Sequence, residues 1–203
     1  MNKVLFLSLA CVFSILTCCF AENTPLVIDD LEIGVIGGPD GTVDFGAGNG
    51  SSVEVSSASE SFHGGKLALK ITYDAVAGGY IYVARGEGLD AKNAGWDIKP
   101  DKIDWNKYKA IAFHMYGNDS KGQIAFDFKD SGNEIWRYMV TDDFKGWKQV
   151  ACPFDQFVAR SDWQPDNAEK NITIDFPLKN YQVEPLPESK GVLYFDTVQL
   201  IEK

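Results

Sequence analysis

The chain is poor in cysteine outside its first residues. It has four cysteines, and only Cys152 lies beyond position 19. A single thiol cannot form an internal disulfide, and its apolar surroundings predict a buried, unreactive group. A hydrophobic core must therefore stabilise the fold, and about 180 residues can bury a sufficient one.

Catalytic motifs are also missing. The two histidines are His63, in a glycine-rich turn, and His114, in a strand-like run. The sequence contains no G-x-S-x-G, no H-E-x-x-H and no glycine-rich phosphate loop. Carboxylates are plentiful, but in an acidic chain their number does not identify the acid and base of a glycosidase. We therefore predict that the protein is not an enzyme.

Positive charge is scarce, with 19 lysines and arginines against 29 carboxylates and a net charge of -10. No cluster of lysine or arginine is present, which excludes nucleic-acid binding as an expected function. Anionic membranes would repel such a chain. The apolar run at residues 4–16 is too short for a comfortable membrane span.

The N-terminus, residues 1–21, is predicted to be a signal peptide. Lys3 precedes the apolar run, and Ala21 ends an acceptable small-x-small cleavage site. A bacterial lipoprotein anchored at Cys18 is the alternative, because the residues before it resemble a lipobox. We expect a secreted protein, extracellular or periplasmic, with residues 22–203 forming one domain.

The rest of the chain lacks long amphipathic helices, and nearly all its periodicity is of period two. In residues 67–73, for example, Leu67, Leu69 and Ile71 share one face. Similar runs lie at residues 80–83, 110–116, 123–129, 134–141, 147–152 and 192–201. Glycine-rich turn signals separate these runs. The pattern predicts an all-β fold, a two-sheet antiparallel β-sandwich or jelly roll.

Nine short motifs then appear in a recognisable order. They are Ile28-Asp29-Asp30-Leu31-Glu32, His63-Gly64-Gly65-Lys66, Gly79-Tyr80, Trp105-Asn106-Lys107-Tyr108, Glu134-Ile135-Trp136, Gly146-Trp147-Lys148, Pro153-Phe154, Arg160-Ser161-Asp162-Trp163-Gln164-Pro165 and Phe195-Asp196-Thr197-Val198. In this order the chain resembles the family 11 carbohydrate-binding modules. It is also similar to the domain named for complex I intermediate-associated protein 30. Both are galactose-binding-like jelly rolls.

The resemblance implies two antiparallel sheets, one of which forms a cleft for a β-glucan chain, and no catalysis. The family's Arg-x-Asp-aromatic string matches Arg160, Asp162 and Trp163, with tryptophan where the family has tyrosine. Its Gly-Tyr strand matches Tyr80. Residues 181–187 depart from the pattern, because prolines stand where the family has a late strand.

Sugar binding needs flat aromatic faces and charged groups that hydrogen-bond to paired hydroxyls. Tyr80 and Tyr82 share one strand face, as a binding surface or as a contact for a covering loop. Arg160 and Asp162 point the same way in an extended segment, either toward a ligand or as a local ion pair. Trp163 is either a stacking platform or a lid over the sandwich edge.

The strand at residues 134–141 presents a choice between two faces. Trp136 and Arg137 cannot both face the cleft, because neighbours on a strand point to opposite sides. We assign Trp136 to the cleft, on the more polar and aromatic side. Trp147 is assigned to the core.

The resemblance also implies structural calcium. Calcium prefers six to eight oxygen ligands, which can come from distant chain segments. Asp30, Glu32, the turn that contains Lys66, and Asp196 match the family's site. An ion there would tie the two ends of the domain together.

We therefore expect a secreted, non-catalytic module that binds a β-glucan-like polysaccharide or oligosaccharide, with structural calcium. One alternative is a protein-interaction or assembly module of the same fold. A small glycan-active enzyme is the third possibility.

Overall fold

In the computed structural model, residues 24–203 are described, and they form two antiparallel sheets packed face to face. The predicted signal peptide and the alternative anchor at Cys18 lie outside these residues. The prediction of an all-β, two-sheet sandwich is confirmed.

Twelve strands and three short 3₁₀ helices make up the described chain. The strands are β1 Leu26–Asp29, β2 Asp44–Gly48, β3 Ser52–Ala58, β4 Ala68–Ala75, β5 Tyr80–Gly86, β6 Tyr108–Asn118, β7 Gln123–Lys129, β8 Ile135–Thr141, β9 Lys145–Pro153, β10 Val158–Ala159, β11 Asn180–Pro185 and β12 Ser189–Glu202. The 3₁₀ helices are Pro100–Lys102, Trp105–Lys107 and Phe154–Gln156. The first sheet has the order β3-β4-β12-β6-β9, with β1 also paired to β12, and the second has the order β10-β8-β7-β11-β5-β2.

The core lies between the sheets, where every second side chain along the strands points inward. Phe113 on β6 contacts Phe195 on β12 and, across the interface between the sheets, Phe126 on β7, with ring centroids 4.7 and 4.6 Å apart. Cys152 is fully buried, and burial raises the pKa of its thiol. The predicted buried position of Cys152 is therefore confirmed.

The proline-containing late segment does form a strand. β11 lies between β7 and β5, with Val183 opposite both Phe126 and Val83. Pro185 is its last residue and is opposite Ile124 of β7, whereas the register with β5 ends at Val183, so proline stands where the strand is paired on one side, as at a sheet edge. β11 therefore completes the second sheet where the sequence pattern departs from the family.

A buried ion pair joins the two sheets near the N-terminus. Arg85 on β5 donates from Nε and Nη2 to the two oxygens of Asp29 on β1, at 2.6 and 2.8 Å. Tyr181 on β11 donates its hydroxyl to the same carboxylate at 2.7 Å. Arg85 also donates to the carbonyls of Thr42 and Gly95. Burial alone would lower the pKa of Arg85, but the hydrogen bonds and charge of Asp29 raise it above its usual value.

We predict that Arg85→Met strongly destabilises the fold. The substitution keeps an apolar stem but leaves the carboxylate of Asp29 buried without its cation, which typically costs about 3–5 kcal/mol. Urea denaturation at neutral pH measures the free energy of unfolding. Lys92→Met is the matched control, because the Lys92–Asp40 pair is 70% and 81% exposed and contributes little. Equal stability of the two variants would contradict the prediction.

Candidate functional site

A cleft of about 680 Å³ lies on the face of the second sheet that points away from the core. The strand register places one residue from each of five strands in a row across this face of the sheet. From β2 to β8 these residues are Asp44, Ala84, Gln182, Asp127 and Arg137. Directly opposed residues of antiparallel strands lie on the same face, so the row brings polar groups from distant parts of the chain together.

Two tyrosines line one side of the cleft, as predicted. Tyr80 is 48% exposed and Tyr82 is half-buried, and both stand on β5. The hydroxyl of Tyr82 lies 3.5 Å from a carboxylate oxygen of Asp44 on β2. Burial, followed by the charges of Asp44 and Asp90, raises the pKa of Tyr82, so its hydroxyl keeps its proton and can donate a hydrogen bond.

A network of two carboxylates and two guanidinium groups forms the middle of the floor. Arg137 donates to both oxygens of Asp127 at 2.9 and 2.8 Å, and to Glu184 at 2.6 Å. Arg160 donates to Glu184 at 2.9 Å, and Gln182 donates to the same Glu184 oxygen at 3.2 Å. Asp127 and Glu184 are 1% and 5% exposed. Charge-assisted bonds of this kind hold each polar group in one orientation.

Arg160 and Asp162 form the bidentate ion pair that the sequence left as one alternative. Arg160 donates from Nε and Nη2 to the two carboxylate oxygens at 2.9 and 3.0 Å, which lowers the pKa of Asp162. The same guanidinium also reaches Glu184 on the floor. Arg160 therefore connects the loop to the sheet, and the ion-pair alternative is confirmed.

The loop that carries Trp163 is fixed to the edge of the sheet by a glutamine. The side-chain amide of Gln164 accepts from the N–H of Ile135 and donates to its carbonyl, both at 2.8 Å. It also donates to the carbonyl of Arg160 at 2.9 Å. Trp163 is 56% exposed and lines the cleft from the β8 side, with the tyrosines of β5 across the floor. Its open ring is available for stacking.

Trp136 does not face the cleft, which corrects our assignment. It is 5% exposed, packs in the core, and donates from Nε1 to Asp130 at 2.9 Å. Its neighbour Arg137 takes the cleft face, because Asp127 and Glu184 can neutralise its charge there. The large indole gains more from burial, and its one donor is satisfied by a buried carboxylate.

Trp147 is likewise not a core residue. It is half-buried on the outer face of the first sheet, where its ring makes an edge contact with that of Tyr116 at 5.7 Å. The register pairs Trp147 with Tyr116 and Tyr116 with Tyr194. This cross-strand aromatic row stabilises the sheet on the side opposite the cleft.

The predicted calcium residues meet at one turn, with one exception. Glu32 accepts from the backbone N–H groups of Lys66 and Leu67, both at 2.9 Å. Asp196 accepts from those of His63 and Gly64 at 2.7 and 3.1 Å.

Asp30 is the exception. Its backbone N–H donates to Asp97 at 2.7 Å, and its carboxylate accepts from the N–H of Glu32 at 3.0 Å. Burial and the nearby charges of Asp29 and Asp30 raise the pKa of Asp97. Three carboxylates therefore lie close together beside β1.

A second group of carboxylates lies beside the core at the end of β7. Ligand atoms of Asp130, Glu134 and Asp175 lie within 4.8 Å of one another, and the first two residues are almost fully buried. Asp130 accepts from the backbone N–H groups of Glu134 and Asp175, at 2.9 and 3.2 Å. No pattern in the sequence predicted this group, because Asp175 lies far along the chain from the other two residues.

No helix within residues 24–203 combines the length and the hydrophobicity needed to cross a membrane.

Two enzymes of known activity share sequence with parts of the chain. A stretch of 125 residues, 61% of this chain, is 30% identical to a mannan endo-1,4-beta-mannosidase of Bifidobacterium adolescentis and covers 11% of that enzyme. A stretch of 79 residues, 36% of this chain, is 32% identical to endoglucanase H of Acetivibrio thermocellus and covers 9% of it. The matched part of the chain thus spans about a tenth of the length of these two enzymes.

Solved structures share the fold. A family 11 carbohydrate-binding module from Clostridium thermocellum, in complex with a β-1,3-1,4-mixed-linked tetrasaccharide, superposes with a TM-score of 0.67 at 23% identity, covering 88% of this chain and 95% of that one. A family 30 module of a cellulosomal cellulase from the same organism gives 0.56 at 11% identity, covering 88% and 96%. The family model for the carbohydrate binding domain, family 11, matches residues 22–203. The chain therefore belongs to the family 11 carbohydrate-binding domains.

Proposed function

We propose that the protein is a non-catalytic module that binds a neutral β-linked polysaccharide of the β-glucan type in the cleft of the second sheet. One observation carries the proposal. The same cleft joins exposed aromatic rings, Tyr80 and Trp163, to a floor of charged groups held by bidentate hydrogen bonds. Concave sites with aromatic walls and a few fixed polar groups are the usual form of a small-ligand site.

The charges of the cleft favour a neutral ligand. Four carboxylates line it, those of Asp44, Asp90, Asp127 and Glu184, against three cationic side chains, Lys129 and Arg160 in the lining and Arg137, which pairs with two of the carboxylates. An acidic polysaccharide would be repelled by this excess. The mixed-linked tetrasaccharide of the structural neighbour, and the mannan and glucan named for the related enzymes, are consistent with a neutral chain of β-linked hexoses.

The carboxylates of the floor are suited to binding and not to proton transfer. Asp127 and Glu184 each contact both Arg137 and Arg160. Burial raises the pKa of both acids, and the two arginines offset that rise only in part. In this position the carboxylates orient guanidinium donors toward sugar hydroxyls, so we infer that the module lacks catalysis of its own.

We predict that Trp163→Ala weakens glucan binding about 10- to 100-fold, because it removes an exposed stacking face at the site. A glycan array that includes mixed-linked glucan, cellulose fragments and mannan identifies the ligand, and calorimetry then measures its Kd. Trp147→Ala is the matched control, because this half-buried tryptophan lies on the opposite sheet.

Two results would count against the proposal. If the wild-type protein bound no glycan, the protein-interaction alternative would be favoured and a pull-down would test it. If Trp163→Ala bound as tightly as the wild type, the cleft would not be the site.

We also propose that a calcium ion stabilises the fold at the turn shared by Glu32, Lys66 and Asp196, with Asp30 near it. The support is that two carboxylates from opposite ends of the chain converge on the backbone of one turn. Carboxylate and carbonyl oxygens are the ligands that calcium prefers. The carboxylates already accept backbone N–H bonds, so the turn can form before the ion binds.

We predict that saturating calcium raises the melting temperature by about 5–10 °C over a sample in EDTA. A ligand at 100 times its Kd stabilises by about 2.7 kcal/mol, and each kcal/mol shifts the melting temperature of a domain this size by about 2–4 °C. Asp196→Asn should abolish the shift, whereas Asp175→Asn should retain it. The reverse outcome would place the ion at the three-carboxylate group, and no shift in the wild type would argue against calcium.

We further infer that the protein is exported. The support is the sequence alone, in the charged start at Lys3 and the apolar run at residues 4–16. Mass spectrometry of the exported protein distinguishes cleavage after Ala21 from a lipid-modified terminus at Cys18.

A further inference from the structure

The edge strand of the cleft carries glycines opposite both tyrosines. β2 reads Asp44-Phe45-Gly46-Ala47-Gly48, and its register with β5 pairs Gly46 with Tyr82 and Gly48 with Tyr80. Paired residues share a face, so both glycines lie on the cleft side of the sheet.

The tyrosine rings occupy the space that side chains at these glycines would need. A methyl group at position 46 would come within 2.9 Å of Cε1 and 3.0 Å of the hydroxyl of Tyr82. At position 48 it would come within 2.5 Å of Cζ and 2.7 Å of the hydroxyl of Tyr80. Adjacent strands are about 4.8 Å apart, and side chains normally stand roughly perpendicular to the sheet. The phenol ends therefore lean across from β5 to lie over β2.

The backbone of β2 does not by itself require glycine. Neither Gly46 nor Gly48 is among the residues with positive φ, so other residues could adopt their conformation. Glycine within a strand costs roughly 0.5–1 kcal/mol relative to alanine and often marks a close approach by another group. Here the groups that approach are the two tyrosine rings.

We propose that Gly46 and Gly48 are positioning residues for glycan binding, because the missing side chains allow Tyr82 and Tyr80 to lie over β2. A ring that leans across the sheet turns a face toward the cleft, whereas an upright ring would present its edge and narrow the space. Since β2 is the sheet's edge strand, the rings also extend the floor to that edge. The inference rests on the proposed function of the cleft.

The first test measures the affinity of alanine variants for mixed-linked β-1,3-1,4-glucan. Gly48→Ala and Gly46→Ala are each expected to weaken binding about tenfold, which corresponds to about 1.4 kcal/mol. Their melting temperatures should change little, because the atoms that must move are the far ends of flexible side chains. Gly95→Ala is the matched control, since a methyl group there meets nothing within 4 Å.

A double-mutant cycle then separates positioning from a direct effect on the ligand. If Gly48 acts through the ring of Tyr80, Gly48→Ala should cause no further loss of affinity in a Tyr80→Ala background. The same holds for Gly46 with Tyr82. An additive second loss of about tenfold would overturn the proposal.

Proton NMR gives a readout that needs no glycan. The α-protons of Gly46 and Gly48 should be shifted upfield by ring currents, and each shift should disappear when its tyrosine is replaced by alanine. Normal glycine shifts in the wild type would overturn the inference and leave the proposed function intact. A wild type that binds no glucan would overturn the function, and the binding role of the glycines with it. Among the glycine variants, a loss of affinity in Gly46→Ala and Gly48→Ala but not in Gly95→Ala would support the inference.

Discussion

The buried contact of Arg85, Asp29 and Tyr181 is the interaction on which the arrangement of the two sheets depends. It links β1 of the first sheet to β5 and β11 of the second. A buried charge is tolerated only when its partners are correctly placed, so the contact restricts how the sheets can pack. Since β5 and β11 also carry cleft residues on their other face, an interaction within the core sets the position of the cleft.

Alternation along the strands couples the core to the cleft. On β11, Tyr181 and Val183 are buried between the sheets, while Gln182 and Glu184 face the cleft. A shift of one residue in register would exchange these faces and place charges in the core. The hydrophobic core therefore fixes the row of polar groups without any special motif in the cleft itself. The glycines of β2 then decide how the tyrosines lie on that floor.

The candidate site was predictable in its aromatic and loop residues and not in its charged floor. Tyr80, Tyr82, Arg160 and Trp163 were identified from a shared strand face or from family motifs, and all line the cleft. Trp136 was assigned to the wrong face, because period two separates two faces without saying which is buried. Asp127 lies on the side of its own strand opposite Phe126 and Phe128, and the choice between Trp136 and Arg137 could have been made for Arg137; both positions pointed to the charged floor.

The amino-acid sequence alone determined the all-β class, the alternation along the longer strands, the single buried thiol and the family, because these depend on local periodicity, composition and short motifs. Only the tertiary structure decided which charged side chains form ion pairs across distant parts of the chain. Arg85 pairs with a residue 56 positions away, and Arg137 with one 47 positions away. Such contacts follow from strand order and register, which local patterns do not contain. The same holds for the approach of the tyrosine rings to Gly46 and Gly48, which depends on β2 lying beside β5.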